Sequence, residues 1–262
     1  MKVLSFAGDD RLRTAAVEGA AFLAHLQLWR PTTEDQLTTG HVETAAVLLS
    51  GTFDLVGGPT PWPARGARKT PFQGRPMAVF LPPRTVFRAE RGQGEILLVG
   101  ARQPAAEAAP QGRQALGHKP LLPLAGSGKA FDPNSGEWRP AETFPTAPES
   151  LPPRRMERLA VGALTVERVL AADYKAATLS IDEVVLPTGQ HLGLGEIPGR
   201  PPCTEALLFV RSEGHATCRA GDAVHDVRGD AVFVFDRGEI DAATVHAETG
   251  STYALVAWAG KA

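Results

Sequence analysis

The chain has 262 residues, 43% of them hydrophobic and 21% charged, a balance that excludes a disordered or fibrous protein and allows one large domain or two of ordinary size. Its 27 Lys and Arg against 29 Asp and Glu leave a formal charge of -2, so no global field holds it on nucleic acid or an anionic membrane, and neither is expected as a partner. No apolar run approaches the roughly 20 residues that cross a bilayer as a helix.

At the N-terminus, Asp9, Asp10, Arg11 and Arg13 interrupt any apolar signal core, so export is not indicated and a cytoplasmic protein is expected. The 27 Gly and 22 Pro are spread through the sequence and punctuate it into short segments, which predicts a predominantly β fold. In the first half, Phe22 to Trp29 reads as a strand, Glu43 to Val56 as a hairpin turning near Ser50-Gly51, Met77 to Leu81 as a strand ending at Pro82-Pro83, and Glu95 to Val99 as its return. The turn-rich stretch Gly57 to Pro71, with Pro59, Pro61, Trp62 and Pro63, reads as a surface loop. Residues 103-153 are dense in proline and lack periodicity, so they read as a connector; Leu121 to Leu124, Trp138 and Phe144 predict that parts of it pack on the domains beside it. In the second half, Leu179 to Leu186, Glu205 to Val210, Ala216 to Arg219, Ala231 to Phe235 and Tyr253 to Trp258 are the expected strands. Cys203 and Cys218 form no C-x-x-C pair and no disulfide framework, and a reducing compartment is the simpler expectation.

Local words recur in the same order in the two halves. Glu43-Thr44-Ala45-Ala46-Val47-Leu48-Leu49-Ser50-Gly51 parallels Glu205-Ala206-Leu207-Leu208-Phe209-Val210-Arg211-Ser212-Glu213-Gly214, each an acidic residue, an apolar strand and a glycine. Val79 to Pro83 lines up with Val232 to Asp236, and Ile96 to Ala101 with Ala254 to Ala259. Duplication accounts for this order, and the boundaries expected are a first barrel over 1-102, the connector over 103-153 and a second barrel over 154-262.

The layout resembles the cupins, and the words Glu43 to Thr52 and Gly74 to Pro83 resemble the first barrel of 5-deoxy-glucuronate isomerase of inositol catabolism and of its relative 4-deoxy-L-threo-5-hexosulose-uronate ketol-isomerase. Leu179 to Gly189, Gly229 to Val234 and Tyr253 to Gly260 are similar to segments of the same family's second barrel. The resemblance implies an all-β chain of two tandem cupin barrels, double-stranded β-helices of jelly-roll type, joined by the proline-rich connector. It implies an aldose-ketose isomerase of sugar acids, in which a His-x-His pair, a Glu and a distant His hold a divalent metal that polarises the sugar carbonyl. This sequence departs from that pattern. After Gly189 it reads Gln190-His191-Leu192-Gly193-Leu194-Gly195-Glu196 without His-x-His, Glu205 matches the carboxylate, and no imidazole stands near Gly238-Glu239-Ile240.

Two readings follow. In the first, the chain is a sugar-acid isomerase, with Glu205 as metal ligand or proton shuttle and a displaced zinc or manganese site built from His191, Glu196, Glu205 and His246. In the second, it is a non-catalytic cupin without a metal cofactor that binds a small carboxylated or sugar ligand. In both, Arg75, Arg200 and Arg219 are the candidates for gripping a sugar-acid carboxylate through a guanidinium fork, with Arg84 and Arg88 as further choices. His41 and Glu43 share a face by their spacing of two, and His25 on the preceding strand would have to join them to make a third ligand. His215 and His225 flank the turn Ala220-Gly221-Asp222 and are expected on one side of a hairpin. Thiolate catalysis by Cys203 or Cys218 has no base partner in the sequence. A homodimer through strand edges would cover exposed backbone groups.

Overall fold

The computed structural model describes residues 1–33, 35–58, 60–102, 157–170 and 178–260, together with three short strands between the halves. The chain divides into a unit of Met1–Gln103 with Ser150–Ala262 and a second unit, Pro104–Glu149. The first half contributes β1 (Lys2–Leu4), β2 (Ala7–Gly8), β3 (Leu12–Ala16), β4 (Leu23–Trp29), β5 (Gln36–Thr38), β6 (Val42–Gly57), β7 (Thr60–Arg65), β8 (Ala78–Leu81) and β9 (Val86–Arg102). In the unit between the halves, β10 (Leu122–Pro123), β11 (Lys129–Asp132) and β12 (Glu137–Pro140) form a small antiparallel sheet. The expected packing of Leu121, Leu124 and Phe144 lies outside the described residues. The second half contributes β13 (Glu157–Val161), β14 (Leu164–Leu170), β15 (Leu179–Leu186), β16 (His191–Gly193), a 3-10 turn (Leu194–Glu196), β17 (Glu205–Ala220), β18 (Ala223–Asp236), α1 (Arg237–Ile240), β19 (Ala243–Thr249) and β20 (Thr252–Ala259). No helix among the described residues is long and apolar enough to cross a membrane.

Each half closes around one long bent strand. In the first, β6 pairs along its length with β9, with β8 beside its first part and β7 beside its second. In the second, β17 pairs with β18 throughout, with β20 beside Glu205–Ser212 and β19 beside His215–Ala220. The hairpin expected at Ser50-Gly51 is therefore a corner within one strand. Leu49 is skipped in the register, Ser50 still pairs Glu95, and Gly51 pairs Gly94, both with positive φ. A Cβ on Gly51 would overlap the Gln93 carbonyl, so glycine here lets two backbones cross closely while the sheet turns. The expected loop Gly57 to Pro71 is also partly strand. Its β7 lies at the end of the sheet, where Pro61 and Pro63 forgo ladder bonds at little cost, and Trp62 packs into the core at 3% exposure.

The registers relate the barrels residue by residue. Glu43 pairs Ala101 of β9 as Glu205 pairs Ala259 of β20, and Thr44 pairs Gly100 as Ala206 pairs Trp258. Glu43 and Glu205 are thus equivalent, as the repeated words predict, and Ile96 to Ala101 does match Ala254 to Ala259. The third pair of words slips by one residue, since Leu81 opposite Thr44 corresponds to Phe235 opposite Ala206.

Three apolar clusters follow from strand alternation. Trp29, Leu48, Phe53, Leu55 and Phe87 fill the first barrel, and Val184, Leu192, Leu208, Phe233 and Trp258 fill the second. The third cluster joins the outer faces of both barrels, with Leu26, Ala45, Val47 and Val99 from one and Leu207, Phe209, Tyr253 and Leu255 from the other. Charge pairs cross this face. Arg68, 4% exposed, reaches from the first barrel to Glu183 (Nη1 to Oε1, 2.7 Å), which also accepts the Tyr253 hydroxyl at 2.7 Å. Arg211 of the second barrel binds Glu95 of the first and Asp230 of its own, and Asp230 is also paired with Arg13 at 2.8 Å. The N-terminal β1 pairs β18, so the first strand of the chain extends the second barrel's sheet.

The equivalent glutamates sit at the ends of this shared face and clamp the opposite barrel. Glu43 accepts the backbone N–H of Thr178 at 2.8 Å and the Thr178 hydroxyl, just before β15. Glu205 accepts the N–H groups of Ala21, Phe22 and Leu23, the last two at 3.0 and 2.9 Å, at the start of β4. Each carboxylate meets orphan donors where a strand of the other repeat begins, and charge-assisted bonds of this kind are the strong ones. Glu205→Ala and Glu43→Ala are each expected to lower stability by about 2–4 kcal/mol, while Glu196→Ala on the exposed turn stays within about 0.5 kcal/mol of the parent; urea unfolding of the three variants checks the contrast.

Candidate functional site

The shared face decides where the expected site residues point. Ala206 faces the interior of the second barrel with Leu208 and Val210, and Glu205, one residue earlier, faces outward to β4. The expectation that Glu205 points into the barrel is off by one strand position. His191 stands directly opposite His246 in the β16–β19 register, so the structure does bring these two together. They lie on the outer face, however, because their neighbours Leu192 and Val245 are the buried residues of the same strands. The Nδ1 of His246 is 3.0 Å from Glu248, whose Oε1 also accepts the Thr217 hydroxyl at 3.1 Å. Glu196 is exposed on the 3-10 turn.

Among the described residues no three His, Cys, Asp or Glu side chains are grouped to hold an ion, so His191, Glu196, Glu205 and His246 do not converge. Of the arginines, Arg75 and Arg219 are exposed on different barrels, and Arg200 is paired with Asp241 at 2.7 Å while its guanidinium lies 5.8 Å from the Trp258 ring centre. Arg84 is exposed, and Arg88 is paired with Glu90. His41 is exposed and Glu43 turns to the second barrel, so neither meets His25 inside the first. His215 bonds Asp226, the partner of Thr217 in the ladder, whereas His225 pairs Cys218; the two histidines therefore occupy opposite faces. Burial pushes the Cys218 thiol up to about 12 and raises that of Cys203, which keeps both protonated.

The inward-facing positions of the second barrel can be read from the same alternation. On β15, Ser180, Asp182, Val184 and Leu186 turn inward. Asp182, fully buried, accepts the Trp258 indole N–H at 2.7 Å and a forked pair from Arg168, Nε to Oδ1 at 2.9 Å and Nη2 to Oδ2 at 3.3 Å. Arg168 also donates to the Pro198 carbonyl at 3.2 Å. A divalent ion of the isomerase type needs converging imidazoles and a carboxylate at about 2.0–2.2 Å. Among the described residues the interior offers one carboxylate, neutralised by Arg168, and Leu192 and Leu194 on the segment after Gly189. The residues present do not fit the metal.

The first barrel differs. Beside β4 a shallow recess, with room for about one water molecule, is walled by His25, Gln27, Thr39 and Thr44 and floored by Leu81, Phe87 and Leu98. Burial, and then the charge of Arg102, hold the His25 imidazole below its ordinary range, so it is neutral. Thr39 accepts the Thr85 N–H at 2.9 Å and donates to the Pro82 carbonyl at 2.8 Å, which ties β5 to the β8–β9 turn. The Thr44 hydroxyl is buried with no hydrogen-bond partner among the described residues. Sequence reading passed over Gln27, Thr44 and Asp182, because a polar residue within an apolar strand signals a site only once its face is known.

The KduI/IolB family matches residues 16–115, most of the first barrel. None of the curated proteins matches the sequence. In structure the chain is similar to an IolB-like protein from Salmonella typhimurium LT2, with a TM-score of 0.65 at 16% identity over 99% of this chain and 93% of that one. It is similar also to AerE from Microcystis aeruginosa, with a TM-score of 0.57 at 10% identity over 99% and 98% of the two chains. A mutant oxalate decarboxylase from Bacillus subtilis gives 0.53 at 12% identity over 99% of this chain and 76% of that one. At these identities the likeness speaks for the fold, and together with the match to the first half it makes this chain a two-cupin protein whose first barrel carries the KduI/IolB family pattern.

Proposed function

We propose that this chain is a ligand-binding bicupin that takes a small carboxylated or sugar molecule without a resident metal. The observation that carries the reading is the filled second barrel, where Trp258 and Asp182 are hydrogen-bonded to each other and Arg168 closes the pair. Metal-assisted isomerisation needs an open coordination position beside a sugar carbonyl, and among the described residues the apolar side chains and the Asp182–Arg168 pair offer no donor set for it. The match of residues 16–115 to the KduI/IolB family favours a second reading, an aldose-ketose isomerase of sugar acids acting in inositol catabolism. That reading requires the cross-strand pair His191 and His246 to recruit an ion on the outer face.

Elemental analysis separates the two. On the binding reading, dialysed protein carries zinc and manganese well below one equivalent, and EDTA leaves its melting temperature unchanged. A stoichiometric metal that survives dialysis and disappears in the His191→Ala/His246→Ala double variant, together with turnover of 5-deoxy-glucuronate, overturns it.

The filled interior has its own consequence. Arg168 and Asp182 are 9% and 0% exposed, so Asp182→Asn leaves a buried guanidinium without its counter-charge and is expected to cost about 3–5 kcal/mol. Adding Arg168→Met should recover much of that loss, because removing both charges avoids the uncompensated one. Denaturant melts of the two variants, run beside the parent, measure both effects.

A further inference from the structure

We propose that the outer face of the second barrel holds an exchangeable, non-catalytic site for a late first-row divalent ion, with His191 and His246 as its two protein ligands and water completing the shell. This goes beyond the binding reading above and does not depend on it, since an ion that exchanges with solvent is not a resident metal. The ladder supplies the geometry. The Ala247 N–H bonds the Gln190 carbonyl at 2.9 Å, so in the alternating pattern of an antiparallel ladder the next pair, His191 and His246, is a non-hydrogen-bonded one. Side chains of such a pair stand closest, with Cβ atoms about 4.5–5.5 Å apart, and two imidazoles on one face at that spacing can each turn a nitrogen toward a common ion. Both rings are open to solvent: His191 is exposed, and the His246 side chain is 39% exposed.

The surroundings of the pair point independently to a cation. Glu248 holds the Nδ1 of His246 at 3.0 Å and is itself fixed by the Thr217 hydroxyl at 3.1 Å. This leaves Nε2 as the ligating nitrogen and orients the ring as carboxylates orient metal-binding imidazoles. Glu196 brings a second negative charge. Gly193 follows His191 by two residues and so faces the same side, and a Cβ there would meet the Glu196 carboxyl carbon at 2.9 Å. Glycine thus lets this carboxylate lie against the strand beside the imidazoles.

The first barrel puts a similar arrangement to another use. There Gln36 stands opposite Arg88, and Arg88 bonds Glu90 two residues on, as His246 bonds Glu248. A guanidinium is a donor only and offers no lone pair to a metal, so the ligand pair belongs to the second repeat.

The donor set chooses the ion. Imidazole nitrogen suits copper(II), nickel(II) and zinc, whereas magnesium and calcium take oxygen. Among the described residues no three His, Cys, Asp or Glu side chains are grouped around one point, so two imidazoles hold the ion and it exchanges with solvent. The sheet separates it from the barrel interior, into which Leu192 and Val245 point. The bound ion therefore fastens β16 to β19 and takes no part in chemistry inside the barrel.

The test uses the full chain, stripped with EDTA and titrated with nickel(II), zinc or magnesium chloride, by calorimetry and thermal melts. One equivalent of nickel(II) or of zinc is expected to bind and to raise the melting temperature by mass action; dialysis removes it, and magnesium does neither. His191→Ala and His246→Arg should each weaken nickel(II) at least tenfold. The second variant copies, with Glu248, the Arg88–Glu90 pair of the first barrel, so its melting temperature without metal stays that of the parent, which separates loss of a ligand from loss of fold. Nickel(II) affinity unchanged in either variant, or no binding of one equivalent by the parent, overturns the proposal and leaves the binding reading standing. A metal held through dialysis, with 5-deoxy-glucuronate turnover that His191→Ala abolishes, overturns both.

Discussion

The reciprocal clamp between the barrels is the constraint on which the rest of the arrangement depends. Glu43 closes on Thr178 and Glu205 on the N–H groups of residues 21 to 23, so each carboxylate sits at the entry to a strand of the other repeat. Because side chains alternate along a strand, assigning these glutamates to the shared face also assigns Thr44 and Ala206 to the barrel interiors. The clamp therefore excludes Glu205 from the interior of its own barrel, where a metal-binding carboxylate would have to stand. A residue that a family resemblance marks as a ligand serves here as a joint between halves.

The same face carries ion pairs that apolar contact alone would not require. Glu183 takes both the Arg68 guanidinium and the Tyr253 hydroxyl, and burial followed by the adjacent Glu183 charge pushes the Tyr253 phenol well above its ordinary value. Tyr253 thus remains a hydrogen-bond donor across the accessible pH range. On the far side, charges alternate in the order Arg30, Glu95, Arg211, Asp230, Arg13, passing from first barrel to second and back. Buried pairs contribute little net stability against apolar replacements, yet a mismatched partner leaves a charge unpaired. Their effect is to fix one register between two sheets whose contacting surfaces are otherwise largely apolar.

How far the sequence discloses this follows from what alternation can and cannot convey. The two-barrel layout and the equivalence of Glu43 and Glu205 are legible because the repeated words keep their order and, for Ile96 to Ala101, their register. Which way Glu205 points is not legible. Ala206 to Val210 is buried on both faces, so the strand shows no polar-apolar rhythm from which to take its parity. Gly51 misleads for a related reason, since a positive-φ glycine marks a corner within a strand as readily as a turn between two. Trp62 misleads because the prolines around it read as loop, although an edge strand tolerates them. His191 and His246 are far apart in sequence, and only the β16–β19 register reveals them as neighbours.

The divergence of the two interiors then comes down to a few paired positions. Gly100 faces His25 and Thr44 in one barrel, and Trp258 faces Ser180 and Ala206 in the other. A large ring at this position needs a small residue opposite it and an acceptor for its indole N–H, and Ala206 and Asp182 provide them. A glycine needs neither, and the imidazole can lean over it. Exchanging one residue alone would fail in either direction: an indole at position 100 would collide with His25, and a glycine at position 258 would leave a cavity against Val256 and Leu208 and deprive Asp182 of one donor. Packing thus locks each barrel into its own state, one closed by an indole and the other by an imidazole, although both are built on the same ladder of strands.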